Sequence, residues 1–230
     1  MSISENIAAI REKMAAAARE AGRDPGEILL VGASKMNDAA ACKAAIAAGI
    51  DALGENRVQE MTAKLSEDAY TGAPLHFIGH LQRNKVKQVV GKVDLIQSVG
   101  SLELLAEIEK TAAKLELVQN ILLEVNIGGE EAKSGFAPED VEAAARVALE
   151  CPHVCVQGLM TIPPADAAPE ENRAYFNKVR ALYVDINAKL FHNDFKYLSM
   201  GMSGDYEDAI RAGATMVRGG SAIFGARHYT

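Results

Sequence analysis

Eight short apolar runs punctuate this chain, at residues 28–33, 52–54, 75–79, 95–99, 121–126, 156–161, 197–200 and 215–218, and helical patterns fill the intervals. No other feature limits the fold as tightly. Most of the runs are apolar on both faces, as strands of a buried parallel sheet are. Parallel neighbours need a crossover, and residues 38–48, 56–66, 83–90, 101–115, 138–149, 169–190 and 205–212 supply it with helix-period patterns. Eight such units in 230 residues predict an α/β protein, a single (β/α)₈ TIM barrel of near-minimal size, with residues 1–230 as one domain. A doubly wound open sheet is the structural alternative. An extra helix precedes the first unit: Ile3, Ile7, Ile10 and Met14 draw one apolar stripe, Ser2 or Ser4 can cap it, and Gly22 ends it. Residues 163–169, with three prolines, read as an exposed loop within the domain.

Charge and cysteine usage narrow the class of partner. A net charge of -7 argues against nucleic acid or an anionic membrane as the main partner. Cys42, Cys151 and Cys155 make no metal spacing, and an odd set of scattered cysteines suits a reducing compartment. Cys42 reads as a small apolar filler of its helix. No apolar run reaches membrane-spanning length, and Arg11, Glu12 and Lys13 break up the start of the chain as a secretory signal. The expectation is a cytoplasmic protein, monomeric because the site drawn below asks for no residue from a second subunit.

The chemistry of a barrel of this kind gathers at the carboxyl ends of its strands. The first run ends in Lys35. A lysine at the mouth of a buried strand can act as a Schiff-base nucleophile, because desolvation disfavours its ammonium form; a lysine snorkelling out of a strand end is the plainer alternative. The last two runs lead into Ser199 to Ser203 and into Arg218, Gly219, Gly220 and Ser221. Gly220 lets a ligand approach the backbone, and Ser221 opens a helical turn whose free N–H groups attract an anion, so the pair predicts a phosphate site with Ser199 adding a hydroxyl. A tight turn with a serine cap is the other reading of that segment. His76 and His80 lack a third ligand, so no metal site is expected. Glu55 reads as a helix-cap carboxylate, and Arg83, Lys85 and Lys87 as a solvated basic helix start. Residues 129–134 imitate a P-loop and fail, because Ala132 stands where the glycine before the lysine belongs.

Taken in order, the motifs resemble one family. Lys35 behind Val31-Gly32-Ala33-Ser34, then Gly54-Glu55-Asn56-Arg57-Val58-Gln59-Glu60, then His76 to Lys85, Lys133-Ser134-Gly135-Phe136, Gly158 to Pro163, Leu198 to Ser203, and Val217 to Arg227 are similar to the YggS/PROSC family of pyridoxal-phosphate homeostasis proteins over nearly the whole chain. The resemblance implies a fold-type III barrel like the N-terminal domain of alanine racemase. It implies pyridoxal 5'-phosphate as cofactor, carried by Lys35 as an internal aldimine. Asn56 would then lie near the cofactor ring, Arg218 would face the pyridine nitrogen, and Ser199, Gly220 and Ser221 would hold the phosphate. Met36-Asn37, Leu75 and Ser221 depart slightly from the family pattern, and none of these removes a binding group.

Arg218 also sets a limit on the chemistry. A cation at the ring nitrogen disfavours a second positive charge there, which weakens the cofactor as an electron sink. Alanine racemases manage with an arginine but add a tyrosine from a second, β-rich domain, and a chain ending at Thr230 is expected to leave no room for one. The expectation is therefore a non-catalytic holder of the cofactor in intracellular homeostasis, by storage, delivery or regulation, with cofactor-dependent apo-enzymes as recipients. A small fold-type III amino-acid racemase and a class I aldolase are the alternatives.

Overall fold

The computed structural model describes residues 1–225, and its strands follow one another around a closed barrel in sequence order. They are β1 (Leu29–Ala33), β2 (Ala52–Glu55), β3 (Leu75–Phe77), β4 (Leu95–Val99), β5 (Gln119–Val125), β6 (Val154–Thr161), β7 (Tyr197–Ser199) and β8 (Met216–Gly219). Every neighbouring pair is parallel, and Val31 lies beside Ala52 on one side and Arg218 on the other. That closure of β8 onto β1 rules out the open sheet. The helices are α1 (Ile3–Glu20), α2 (Ala39–Ala47), α3 (Val58–Ser66), α4 (Leu102–Lys114), α5 (Val141–Leu149), α6 (Pro169–Leu190), α7 (Tyr206–Arg211) and α8 (Ser221–Phe224).

Two clusters form the core. One lies between sheet and helices. The other is a plug of Val31, Ala52, Leu95, Leu122, Met160 and Met216 inside the barrel. Side chains alternate along a strand, so the residue two places on points inward again, one layer closer to the carboxyl face. On the side of β4, β5, β7 and β8 that layer is polar, with Gln97, Glu124, Ser199 and Arg218 each buried, whereas Ala33 and Gly54 occupy it on β1 and β2. The pattern that fills the middle of the barrel with methyl groups thus fills that side of its top with hydrogen-bonding groups.

Helix α1 covers the barrel wall where β8 meets β1. Ser2 caps it in a reciprocal box with Glu5, and Ile7, Ile10 and Met14 are buried as their spacing predicts. Asn6 ties the helix to α8 through Ile223 O at 2.8 Å.

Two elements differ from expectation. Residues 83–90 were expected to be a helix, but only a 3₁₀ segment, Arg83–Gln88, forms. Gln82 offers no cap there, and Arg83, Lys85 and Lys87 repel one another without a carboxylate on the segment to offset them. Strand β3 stops at Phe77, short of Gly79. The strands also pair unequally: β5 and β6 align over seven residues, whereas β7 and β8 share the single register pair Ser199–Met216. No helix among the described residues is long and apolar enough to cross a membrane.

Candidate functional site

Lys35 stands just beyond β1, half-buried, in a turn that the sequence reading did not anticipate. Met36, which follows it, has φ 61°, in the left-handed region that disfavours a side chain. Beneath this turn lies a buried ionic cluster. Lys64 Nζ bonds Ser34 O at 2.7 Å and Glu55 Oε1 at 2.7 Å, and pairs with Glu60 Oε1 at 3.0 Å. Glu55 Oε1 also accepts from Ser34 Oγ and, at 2.9 Å, from Tyr70 OH. Glu60 in turn accepts the backbone N–H of Met36. Burial pulls the Lys64 ammonium toward neutrality, but its bonds to Glu55 and Glu60 outweigh that and hold its pKa above the ordinary lysine value. Glu55 is therefore not the helix cap that was expected. Arg57 occupies the cap position of α3, without a side-chain bond, and Glu55 points into the cluster instead.

Arg218 is 1% exposed and lies at the inner wall of the barrel mouth. Its guanidinium donates to Ser199 Oγ, to Thr161 O at 3.0 Å and to Met202 Sδ at 3.4 Å. Ser199 passes the polarity on by donating to Gln97 Oε1 at 2.6 Å, and Gln97 Nε2 lies 2.9 Å from His76 Nδ1. Every link in this relay is a donor aimed away from the arginine, so His76 Nδ1 is the terminal acceptor and its imidazole is neutral. Burial depresses the His76 pKa to about 4, against a small opposing pull from Asp94. Burial also lowers Arg218, to about 10, which leaves it protonated at neutral pH.

Beyond β8 the backbone turns into α8 at Gly220. The N–H groups of Gly220 and Ala222 converge on one oxygen, Ser203 Oγ, at 3.2 and 3.4 Å. Two amides aimed at a single acceptor are the geometry of an anion cradle. A Cβ on Gly220 would project to within 3.7 Å of Ala33 O, into the space between the ends of β1 and β8. The cradle therefore borders the strand that leads to Lys35.

Across the mouth a cavity of about 530 Å³ is lined by Asn56, Gly79, His80, Glu124, Asn126 and Ser134, among others. Asn56 Oδ1 is buried there without a hydrogen-bond partner among the described residues. Gly79 is required by contact, because a Cβ on it would lie 2.2 Å from Asn56 O. Glu124 accepts from Ser134 Oγ at 3.2 Å; burial raises its pKa, opposed by that bond and by Arg218, His80 and Lys133. No trio of His, Cys, Asp or Glu among the described residues is placed to hold a metal.

The structure thus gathers Lys35, Asn56, Arg218, Gly220 and Ser221 around one barrel mouth. Ser199 needs correction. Its hydroxyl is fully buried and committed to Gln97 and Arg218, and Ser203 is the serine at the cradle. Ser221 is the first residue of α8, with Gly220 in the cap position. The motif residues Ala226 and Arg227 lie outside the described residues. Sequence reading missed Lys64, Glu60, Tyr70, Gln97 and Glu124. Lys64 left a signal, since it shares a helix face with Val58 and Met61, where a lysine is unexpected.

Comparison with known proteins shows the family and the fold. Residues 4–228 match the family model "Alanine racemase, N-terminal domain". A "Pyridoxal phosphate homeostasis protein" of Aquifex aeolicus is 42% identical over 229 residues, covering 100% of both chains. The structure of PipY of Synechococcus elongatus with PLP bound superposes with a TM-score of 0.84 at 31% identity, covering 97% of this chain and 100% of that one. An alanine racemase of Clostridium difficile shares the fold, with a TM-score of 0.72 at 18% identity; 98% of this chain matches 57% of that one.

Proposed function

We propose, from the premise that this chain belongs to the alanine racemase N-terminal domain family and among its pyridoxal phosphate homeostasis members, that it binds pyridoxal 5'-phosphate and holds it covalently through Lys35 for intracellular homeostasis of that cofactor. The observation that carries the reading is the pair of amides, Gly220 and Ala222, converging on one oxygen position beside the end of β1. The residues fit the group. The amide cradle suits a phosphate, the half-buried amine of Lys35 lies two residues past Ala33, and the unpartnered Asn56 carboxamide offers a polar contact to a ring substituent. When bound, the cofactor supplies an aldehyde that condenses reversibly with a primary amine, a C=N bond forming as water leaves.

The chain's own groups divide the work. Gly220, Ala222, Ser203 and Ser221 would hold the phosphate, and Ser199 holds Arg218 against the barrel wall. Arg218 would offer its cation to the cofactor's ring nitrogen and so disfavour a proton there. That arrangement favours holding the cofactor over using it as an electron sink, so the protein is a carrier or regulator that passes it to apo-enzymes and works as a monomer. The free cysteines Cys42, Cys151 and Cys155 support a cytoplasmic setting.

The test is spectroscopic. Purified protein given pyridoxal phosphate should develop a visible band, and borohydride should fix the added mass on Lys35. Lys35→Ala should lose the fixed mass while its circular dichroism is unchanged; the principal adduct on another lysine would refute the assignment. The same loaded protein should reactivate an apo-enzyme while turning over amino acids far below ordinary rates of about 1–10³ s⁻¹. Turnover within that range would restore the racemase reading.

A further inference from the structure

Two peptide groups flank Lys35, and both are tied to one side chain. The carbonyl of Ser34, in the peptide before Lys35, accepts from Lys64 Nζ at 2.7 Å. The N–H of Met36, in the peptide after Lys35, donates to Glu60 Oε1, and that oxygen lies 3.0 Å from the same ammonium. An ammonium has three N–H donors. The third goes to Glu55 Oε1 at 2.7 Å, which Tyr70 and Ser34 fix in turn. Lys64 is 4% exposed and, among the described residues, all three of its N–H donors are spent on Ser34 O, Glu55 and Glu60, so its hydrogen-bonding capacity is turned on the lysine turn and its supports.

A buried ion pair serving only stability would not need this form. Burying two charges costs about as much as their attraction returns, and an apolar pair of the same volume commonly does as well. Nor would a merely structural pair need to reach the backbone on both sides of one residue. The left-handed Met36, φ 61°, points the same way. A side chain holds such a conformation only where its surroundings over-determine it, and here the bond from Met36 N–H to Glu60 does so.

Building on the cofactor reading above, we propose that Lys64 is a positioning residue for Lys35: by clamping the peptide on each side, directly and through Glu60, it sets the direction in which the Lys35 amine enters the barrel mouth. The bond it governs forms when the Lys35 nitrogen attacks the aldehyde carbon. The carbonyl oxygen departs as water with the two amine protons, and no redox partner is needed. The clamp lies outside the mouth and touches neither the amide cradle nor Arg218, so it bears on covalent capture and not on phosphate binding.

That separation defines the experiment. Wild type, Glu60→Ala, Glu60→Gln and Lys64→Met are each titrated with pyridoxal phosphate and with pyridoxine 5'-phosphate, which has a hydroxymethyl group in place of the aldehyde and cannot bond to an amine. Circular dichroism and a melting curve accompany each variant. Glu60 is partly exposed, so Glu60→Ala frees the Met36 N–H to water without stranding a buried charge, and it decides the matter should Lys64→Met fail to fold. The expected result is an apparent affinity for covalent capture about tenfold lower in Glu60→Ala and lower still in Lys64→Met, a displaced visible band, and pyridoxine phosphate affinity within about twofold of wild type. Glu60→Gln, which keeps an acceptor for Met36, should recover most of the capture. Unchanged capture in folded variants, or a parallel loss of both ligands, would overturn the positioning role. Wild type that binds neither ligand would overturn the cofactor reading itself, and this proposal with it.

Discussion

Among the described residues the barrel buries two cations, Lys64 and Arg218, and they are treated in opposite ways. Lys64, outside the sheet, is in contact with two carboxylates and a carbonyl. Arg218, inside it, is in contact with a hydroxyl, a carbonyl and a thioether, and among the described residues no carboxylate comes within ion-pair distance. Glu124 and Asp205 act on it only through space. A neutralised cation spends its field within the fold, where it can hold backbone in place but offers no charge to a ligand. A buried cation met only by neutral dipoles retains a field that a ligand can use. The difference separates a charge that fixes the chain around it from one that can meet a ligand, without reference to either residue's position in the sequence.

The largest effect that would sharpen the contrast is on stability. Glu55→Ala leaves Lys64 buried beside an empty site and should lose about 3–5 kcal/mol in urea unfolding. Arg218→Met, which strands only neutral partners, should lose about 1–3 kcal/mol while nearly abolishing cofactor retention. Equal stability losses, with retention intact in Arg218→Met, would erase the distinction.

A pH titration probes the far end of the relay next. His76 is held neutral with its pKa depressed from 6.5 to about 4, so as pH falls through that window the unfolded chain takes up a proton that the native state refuses. Stability is fully present above pH 6.5 and is lost toward pH 4, by about 3 kcal/mol from this residue. His76→Gln should flatten that slope; an unchanged slope would mean that His76 is not where the relay ends.

The smallest effect belongs to the cradle. Ser203→Ala should weaken pyridoxal phosphate retention by about 1.5–3 kcal/mol and leave pyridoxal nearly untouched, and it should do so more selectively than Ser199→Ala, whose loss would pass through Arg218 to both ligands. Competition binding on the two variants would show the ratio, and the reverse ratio would put the phosphate on Ser199.

The barrel was legible because its signal is repeated: each unit states the same alternation of apolar run and helical stripe, so an error in one, such as the 3₁₀ segment at Arg83–Gln88, does not disturb the whole. Backbone-driven parts of the site were legible as well, since Gly220 and the strand end before Lys35 announce themselves by residue type. What stayed hidden depends on side-chain direction in three dimensions. Ser199 and Ser203 are four residues apart and chemically alike, but Ser199 closes β7 with its hydroxyl turned to Arg218, whereas Ser203 lies beyond the strand, in the turn before α7 that meets the cradle. Glu55 looked like a helix cap because Arg57 and Val58 open α3 just beyond it. Its partners, Lys64 and Tyr70, arrive from the next helix and loop, which local spacing does not encode.

The single register pair between β7 and β8 has a consequence for how the closed barrel breathes. Beside that pair, among the described residues, only the backbone bonds Met200 N–H to Met216 O, Thr215 N–H to Leu198 O and Arg218 N–H to Gly201 O join these strand ends, against seven register pairs between β5 and β6. This seam should therefore open more readily than that one, and amide exchange at Met200 and Thr215 should outpace that of β5 and β6. The seam runs between Ser199 and Arg218. A transient gap at this place loosens the arginine's seat and the cradle just past it together, which makes this lightly stitched edge of the cylinder a kinetic outlet: the rate at which a held molecule escapes would follow the opening of two strands, not the strength of any one contact to it.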